Sequence, residues 1–549
     1  MQEKKWWHHA VAYQIYPRSF CDSNGDGIGD LAGIIGKLDY LQRLGIEVIW
    51  LSPVYRSPMD DNGYDISDYC SIAPEFGTLA EMDALIAAAA KRGIRILMDL
   101  VVNHTSDEHP WFVESRQGPG AARRDFYIWR PARPDGSPPD GQRSFFGGSA
   151  WQWDEASGEY YYHLFSRRQP DLNWANPAVR DEVHRMMNWW LDRGIGGFRM
   201  DVVDLLGKEV DQGITSNGPQ LHARLQDMNR ATFGSRDLLT VGEAWSATPE
   251  IARQYSDPSR EEVSMVFQFE HITQTFDPVE GKWKPRPFDL PAFKRIMAKW
   301  QDGLAETGWN SLFWSNHDLP RAVSKFGDDG RYRVESAKML ATALHGLKGT
   351  PFVYQGEEIG MRNVRFASID DYRDLESLNL YRERTEAGVP AAEMMEGIYQ
   401  NGRDNARTPM PWDGGVNAGF SSGTPWLKLN PDCDRIHVAA ALADPDSIFY
   451  YYQRLIRLRK ESEVLVYGDY LPLLEAHAQV FAYLRRLGPD RLAVVCNFAG
   501  DEVALVLPPE LAGVSGRCLI SNDAPRERLG ETLTLRPYEA FMLAWRTDD

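Results

Sequence analysis

The sequence predicts an α/β chain built on a (β/α)8 TIM barrel, with a loop-rich subdomain inserted after the third strand and an antiparallel β-domain at the C-terminus. Three observations carry that prediction. Eight short, near-continuously apolar runs alternate with amphipathic helical stretches, as parallel strands covered on both faces require. The connection 105–173 is too long, and too rich in Gly, Pro and aromatic residues, to be a plain turn. Residues 474–549 instead read as short strands separated by turns.

The strand runs fall at 10–16, 47–52, 94–102, 196–202, 238–243, 264–269, 311–316 and 351–355. Amphipathic stretches at 31–44, 79–92 and 178–193 fill gaps between them. Eight such units close into a ring rather than an open sheet. Residues 1–104 form the first part of the barrel and 105–173 the insert, marked by Gly118-Pro119-Gly120, Pro138-Pro139 and Phe145-Phe146-Gly147-Gly148. The barrel resumes over 174–473, with an irregular stretch at 356–429. The terminal domain carries strand patterns at 479–484, 491–497, 502–507, 531–535 and 540–545.

Composition narrows the function. Sixty basic against 78 acidic residues leave a net charge of −18, a poor match for nucleic acid or an anionic membrane. Eighteen tryptophans suit a neutral ligand with flat apolar faces, such as a sugar. The five cysteines have no C-x-x-C spacing, which argues against a disulfide framework or a zinc cage. No run reaches the roughly 18–20 apolar residues of a membrane span, and the N-terminus lacks the apolar core of a signal peptide. The expectation is a soluble protein of a reducing, cytoplasmic compartment. Oligomeric state is open, and a monomer fits.

In such a barrel the chemistry sits just past the C-terminal strand ends. The third strand ends in Asn103-His104, the fourth in Arg199-Met200-Asp201, the fifth in Glu243-Ala244-Trp245 and the seventh in His317-Asp318. A single strand-end aspartate is most often a helix cap; four ionisable strand ends pointing into one mouth are not explained that way. Three carboxylates, Asp201, Glu243 and Asp318, without a metal cage or phosphate loop fit glycosidic bond cleavage. That reaction needs a proton donor for the leaving oxygen and a carboxylate facing an oxocarbenium-like centre. Arg199, two residues from Asp201 on the same strand face, would favour the ionised form of that aspartate. Burial beside Trp245 would raise Glu243 toward an acid/base role.

With those residues in view, the chain resembles the α-amylase superfamily of glycoside hydrolases over essentially its whole length. The resemblance rests on Asp99-Leu-Val-Val-Asn-His104, Gly197-Phe-Arg-Met-Asp-Val202, Gly242-Glu-Ala-Trp245 and Ser315-Asn-His-Asp318. Asp61-Asn-Gly-Tyr-Asp65, Gln169-Pro-Asp-Leu-Asn173 and Arg403-Asp-Asn-Ala-Arg-Thr-Pro-Met410 mark similarity to its oligo-1,6-glucosidase branch, and most closely to the bacterial dextran glucosidases (glucan 1,6-α-glucosidases). The resemblance implies Asp201 as nucleophile, Glu243 as acid/base and Asp318 as transition-state stabiliser in a retaining mechanism. It implies Tyr64 stacked on the glucose ring, His104 and His317 on its hydroxyls, and an Asp61–Arg403 pair gripping the non-reducing end, hence exo action on α-1,6-linked isomalto-oligosaccharides and short dextrans. Val202 and Trp245 are the implied linkage-selecting residues, although one apolar contact is worth only a few kcal/mol.

Sucrose isomerases share this framework but typically carry an Arg-Leu-Asp-Arg-Asp run where this chain has His271-Ile-Thr-Gln-Thr-Phe-Asp277, which counts against isomerisation. A broader α-glucosidase acting on maltose or sucrose, a transglycosylase, and a non-catalytic barrel subunit are the alternatives. The loop Asp22-Ser-Asn24-Gly-Asp26-Gly-Ile28-Gly-Asp30 places oxygen donors at alternate positions, suited to a hard cation. It is no EF-hand, because Gly33 stands where the twelfth-position Glu would be. The resemblance implies a structural Ca²⁺ there, held by Asp22, Asn24, Asp26, Asp30 and the Ile28 carbonyl. No organic cofactor is expected.

Overall fold

All eight apolar runs form strands of one parallel sheet in the computed structural model, which describes residues 3–547. They are β1 (Ala12–Ile15), β2 (Val48–Leu51), β3 (Arg95–Leu100), β4 (Gly197–Met200), β5 (Leu239–Glu243), β6 (Met265–Phe267), β7 (Ser311–Leu312) and β8 (Thr350–Tyr354). The sheet order is β6-β5-β4-β3-β2-β1-β8-β7. The ring closes between β6 and β7 through one parallel bridge, Val266 to Asn310, and a 2.8 Å hydrogen bond from Ser311 Oγ to the Val266 carbonyl. The seventh strand is shorter than its apolar run, and residues after Leu312 leave the ladder just where the site begins.

Aromatic packing inside the ring underlies the ionisable cluster at one end. Phe267 sits 4.7 Å from Phe352, 5.3 Å from Phe313 and 5.5 Å from Trp50 between ring centroids, closing the barrel with aromatic rings. Those rings make a dry floor beneath the strand ends. Gly197 opens β4 at φ +138°, and a Cβ there would fall 1.8 Å from the Leu239 carbonyl, so only glycine allows β4 and β5 to approach.

The helices follow local rules. Leu79–Ala90 starts with a Thr78–Glu81 capping box, and Pro177–Asp192 with Asn176 as N-cap and Pro177 at its first position. The stretch 31–44, read as one helix, is two, Leu31–Gly36 and Leu38–Leu44, broken at Lys37 (φ −110°, ψ 4°). The irregular stretch 356–429 holds two substantial helices, Leu375–Glu386 and Ala391–Asn401. The first is dominated by charged and polar residues and buries only Ser377 fully, so it lacks the apolar stripe that betrays a helix in sequence. Within 105–173 three short strands pair antiparallel in the order Trp129–Arg130, Glu159–Tyr162, Trp151–Asp154.

The terminal domain has β9 (Asp469–Leu473), β10 (Val480–Leu487), β11 (Asp490–Asn497), β12 (Val503–Val506), β13 (Arg517–Ser521), β14 (Thr532–Leu535) and β15 (Ala540–Arg546). Five strands run antiparallel in the order β9-β10-β11-β15-β13, and β12 pairs with β14. The sheet thus begins at Asp469, ahead of the 474 boundary expected from sequence; β9 is a half-exposed edge strand containing Pro472, which dilutes its pattern. β13 was not anticipated either, because its residues are half-buried and a bulge separates Cys518 from Ile520. Buried Arg485 ties this domain to the barrel, donating to the carbonyls of Gly346, Leu465 and Gly468 at 2.5–3.1 Å. Among the described residues no helix is long and apolar enough to cross a membrane.

Candidate active site

The centre of the site is one guanidinium. Arg199, near the end of β4, is 1% exposed and lies 4.8 Å over the Trp50 ring. Its Nη1 donates to Asp99 Oδ1 at 2.8 Å and to Asp201 Oδ1 at 2.7 Å, and its Nη2 to Glu243 Oε2 at 2.5 Å. The strand ends of β3, β4 and β5 therefore meet on a single cation. The sequence reading gave Arg199 to Asp201 alone; it is shared among three carboxylates. Burial, with the Glu243 and Asp99 charges beside it, pushes the Asp201 carboxyl well above the ordinary range despite Arg199. Arg199 favours the ionised form of Asp201, as expected from sequence, while burial and the neighbouring carboxylates work against it.

Glu243 is held on both oxygens. Oε1 accepts the Trp245 indole N–H at 3.0 Å, and Oε2 also faces the Val202 N–H at 3.3 Å. That amide is aimed by a strained residue: Val202 sits at φ +35°, a left-handed conformation costly for a β-branched side chain. Trp245 is 41% exposed and lies flat on Phe269, 3.7 Å between centroids at 7°.

Asp318, just beyond β7, is gripped by Arg407 Nη2 at 2.6 Å and Arg403 Nη1 at 3.4 Å. Burial opposes its ionisation, but His317, Arg403 and Arg407 override it and hold the carboxyl far below the usual range. Arg403 also reaches Asp61 at 3.2 Å and Asp374 at 2.7 Å, all three side chains being buried. Burial raises Asp61 to about 6 even with Arg403 beside it.

Tyr64 donates its hydroxyl to Asp99 Oδ2 at 3.0 Å and lies parallel to His317, 5.2 Å between centroids at 4°. His104 Nε2 contacts the Tyr64 carbonyl at 3.0 Å and the Gln169 amide at 3.1 Å. Burial lowers His104 to about 4 and His317 to about 3, so both rings are neutral at ordinary pH.

Asp61, Tyr64, His104, Asp201, Val202, Glu243, Trp245, Asp318 and Arg403 line one cavity of about 570 Å³. Its outer wall adds Phe145, Phe146 and Phe165 from the insert, and Phe276 and Trp283 beyond β6. Arg199 and His317 stand behind that wall. His317 Nδ1 meets Gln14 Nε2 at 2.8 Å and its ring lies against Tyr64, while its Nε2 lies 3.4 Å from Asp318, a residue of the cavity wall.

A family model described as the alpha amylase catalytic domain matches residues 14–468, and one described as the alpha-amylase SusG C-terminal domain matches 480–541. The chain belongs to the α-amylase family. Within this glycoside hydrolase family it is 62% identical over 546 residues to the palatinase of Erwinia rhapontici, covering 99% of each chain. It is 56% identical over 543 residues to the glucan 1,6-alpha-glucosidase of Streptococcus pneumoniae, covering 98% of this chain and 99% of that one. Among solved structures, isomaltulose synthase from Erwinia rhapontici NX5 superposes with a TM-score of 0.96 at 41% identity over 100% of both chains.

Several supporting residues of this α-amylase family site escaped the sequence reading. Asp99 and Arg407 stand inside motifs quoted for other residues. Gln169 bridges Asp61 Oδ2 (3.2 Å) and His104 (3.1 Å). Lys208, fully buried, joins Asn103 Oδ1 at 2.6 Å to Asp171 at 3.2 Å. Asp374 carries no sequence signal beyond capping a helix.

The 22–30 loop lies apart from this cavity. Asp22 accepts the N–H groups of Asn24, Gly25 and Gly27; Asn24 accepts that of Asp26, Asp26 that of Ile28, and Asp30 those of Ser23 and Gly33. Among the described residues, no three His, Cys, Asp or Glu side chains are grouped as a metal cage.

Proposed function

We propose that this protein is a retaining, exo-acting α-glucosidase that releases glucose from the non-reducing ends of α-1,6-linked isomalto-oligosaccharides and short dextrans. The observation that carries the proposal is the pairing of Asp201 and Glu243 on adjacent nitrogens of one guanidinium, in a cavity whose wall also holds the buried Asp61–Arg403 ion pair. Carboxylates held side by side on one planar fork favour the short separation of retaining enzymes, about 5–5.5 Å, over the wider spacing of inverting ones.

In the proposed cycle Glu243 gives a proton to the glycosidic oxygen while ionised Asp201 attacks the anomeric carbon. The bond to the aglycone breaks and a covalent glucosyl ester forms on Asp201. Glu243, now a base, takes a proton from water, whose oxygen displaces Asp201 and restores the starting configuration. Asp318, kept ionised by Arg403 and Arg407, stabilises the oxocarbenium-like charge. Neutral His104 hydrogen-bonds a sugar hydroxyl, and Tyr64 supplies an apolar face. The Asp61–Arg403 pair blocks passage of a longer chain, which supports exo action. Val202 offers the aglycone a hydrocarbon surface without a hydroxyl, and Trp245 a flat wall, which supports the 1,6 preference. The name of one relative also supports it.

Isomerisation is the second reading, favoured by the likeness to isomaltulose synthase; it requires the released fructose of sucrose to be kept and re-attached. The deciding assay compares initial glucose release from isomaltose, maltose and sucrose. The proposal requires isomaltose to lead and Asp201→Asn and Glu243→Gln to lower kcat by orders of magnitude while the fold is kept. Near-normal turnover in either variant, or conversion of sucrose into another disaccharide as the main activity, refutes it. Calcium binding by the 22–30 loop and a cytoplasmic setting are further parts of the proposal. The first is supported by the loop's oxygen-rich donor chemistry, the second by five cysteines that all stand as free thiols.

A further inference from the structure

A second groove, of about 630 Å³, lies on the flank of the barrel where three elements meet. These are the hairpin strands Tyr55–Arg56 and Asp68–Ile72, the start of helix Pro110–Ser115, and helix Pro177–Asp192. Two half-buried tryptophans, Trp111 and Trp189, line it together with buried His109, and the Arg193 guanidinium covers one face of Trp189 at 4.2 Å. We propose that this groove is a non-catalytic saccharide-binding site, with a neutral glucan chain as its ligand.

The hydrogen-bonding pattern points to a ligand. Most tryptophans of this chain donate their indole N–H to a protein acceptor, as Trp50, Trp174 and Trp190 do. Among the described residues nothing accepts from Trp111 Nε1 or Trp189 Nε1, and neither atom is sealed from solvent. His109 Nδ1 accepts the Trp111 backbone N–H at 3.1 Å, which leaves the ring proton on Nε2, again without a protein acceptor. The Arg56 guanidinium likewise has none. Acceptors line the groove as well: the carboxylates of Asp68, Glu108 and Glu182, of which Glu108 also holds Arg168 and Glu182 also holds Arg185. Aromatic faces bordered by both donors and acceptors are the surface a pyranose recognises, with its apolar C–H face and ring of hydroxyls.

Charge selects against other ligands. The two arginines of the groove, Arg56 and Arg185, are nearly balanced by its three carboxylates, so neither a phosphate nor a cation is favoured. One residue of the groove also touches the backbone that carries the candidate site. Tyr69, part of its lining, donates its hydroxyl to the backbone carbonyls of Val101 and His104, at 2.8 and 3.2 Å, and His104 lines the catalytic cavity. A long chain held here keeps its ends close to the pocket and raises their effective concentration, whereas a disaccharide gains nothing.

That the glucan is α-1,6-linked rests on the function proposed above. The test separates the two. Calorimetric titration of the Glu243→Gln protein with a long isomalto-oligosaccharide should show two binding events. It should show one when Trp111→Ala and Trp189→Ala are added, or when Cys70→Trp fills the groove from an exposed position without removing packed side chains. In the otherwise unaltered enzyme the same groove changes should leave kcat/KM for isomaltose unchanged and raise KM for dextran by about 3- to 10-fold. A single binding event in Glu243→Gln, unchanged by either groove alteration, overturns the proposal. If the enzyme fails to act on isomaltose, the proposed activity falls, while the calorimetric count still decides the groove.

Discussion

Replacing Arg403 with glutamine removes one cation from among four carboxylates. Arg403 is 5% exposed and lies 2.7 Å from Asp374, 3.2 Å from Asp61, 3.4 Å from Asp318 and 3.5 Å from Glu376. Glutamine keeps most of the volume and one hydrogen bond but leaves buried charge uncompensated, which costs about 3–5 kcal/mol when a buried pair is broken. Part of that cost falls on folding and part on the pocket. A hydrogen bond from a charged donor to a substrate hydroxyl contributes about 1.5–3 kcal/mol. Through the free-energy relation this becomes a loss of about 10- to 150-fold in kcat/KM. Most of it should appear in KM, since the grip is made on the bound sugar before the bond breaks. Arg403→Lys should fall between, because a point charge cannot bridge Asp61 and Asp374 as the planar fork does. The assay is glucose release from isomaltose, with thermal unfolding followed in parallel. A folded Arg403→Gln enzyme within about threefold of the wild-type kcat/KM would falsify the view that this cluster forms the blind end of the pocket.

Further outcomes follow from the same geometry. Asp61, raised to about 6, should lose its charge as pH falls through that value, so KM should climb on the acid side and Asp61→Asn should remove that limb; an unchanged limb contradicts the assignment. For stability the sign is opposite. A carboxyl raised in the fold favours folding most below its unfolded value of 3.8, and that contribution is lost as pH rises through about 6. His104 and His317, lowered to about 4 and 3, should show no proton NMR titration between about pH 5 and 8. Their share of stability is complete above 6.5 and declines as pH falls toward those values. Asp374→Asn should lower kcat/KM less than Arg403→Gln does, because Asp61 and Asp318 remain on Arg403; an equal or larger loss would mean that Asp374 touches substrate. Excess Ca²⁺ should raise the thermal midpoint by a few degrees over chelator-treated protein, and Asp22→Asn with Asp26→Asn should abolish the difference; identical midpoints dismiss the metal.

The barrel was legible because each of its strands is buried on both faces and so reads as an unbroken apolar run. The polar residues that interrupt those runs at one end announced the site. What sequence hid is what depends on distant partners. Asp99 stands in a quoted motif, yet nothing along the chain says that it meets Trp50, Tyr64 and Arg199 at once. Asp374 and Lys208 look like ordinary surface charges until the fold buries them against Arg403 and Asp171. Arg199 was assigned to Asp201 by proximity on one strand, whereas the neighbouring strands bring two more carboxylates to it. The helix Leu375–Glu386 stayed hidden for a related reason, since its few apolar residues pack on a small local cluster.

The sharpest measurement follows the anomeric configuration of the first glucose freed from isomaltotriose by NMR, before mutarotation mixes the forms. Attack by Asp201, followed by water on the opposite face, predicts α-glucose as the initial product. Initial β-glucose would mean a single displacement, and the pairing of Asp201 and Glu243 would then need another explanation.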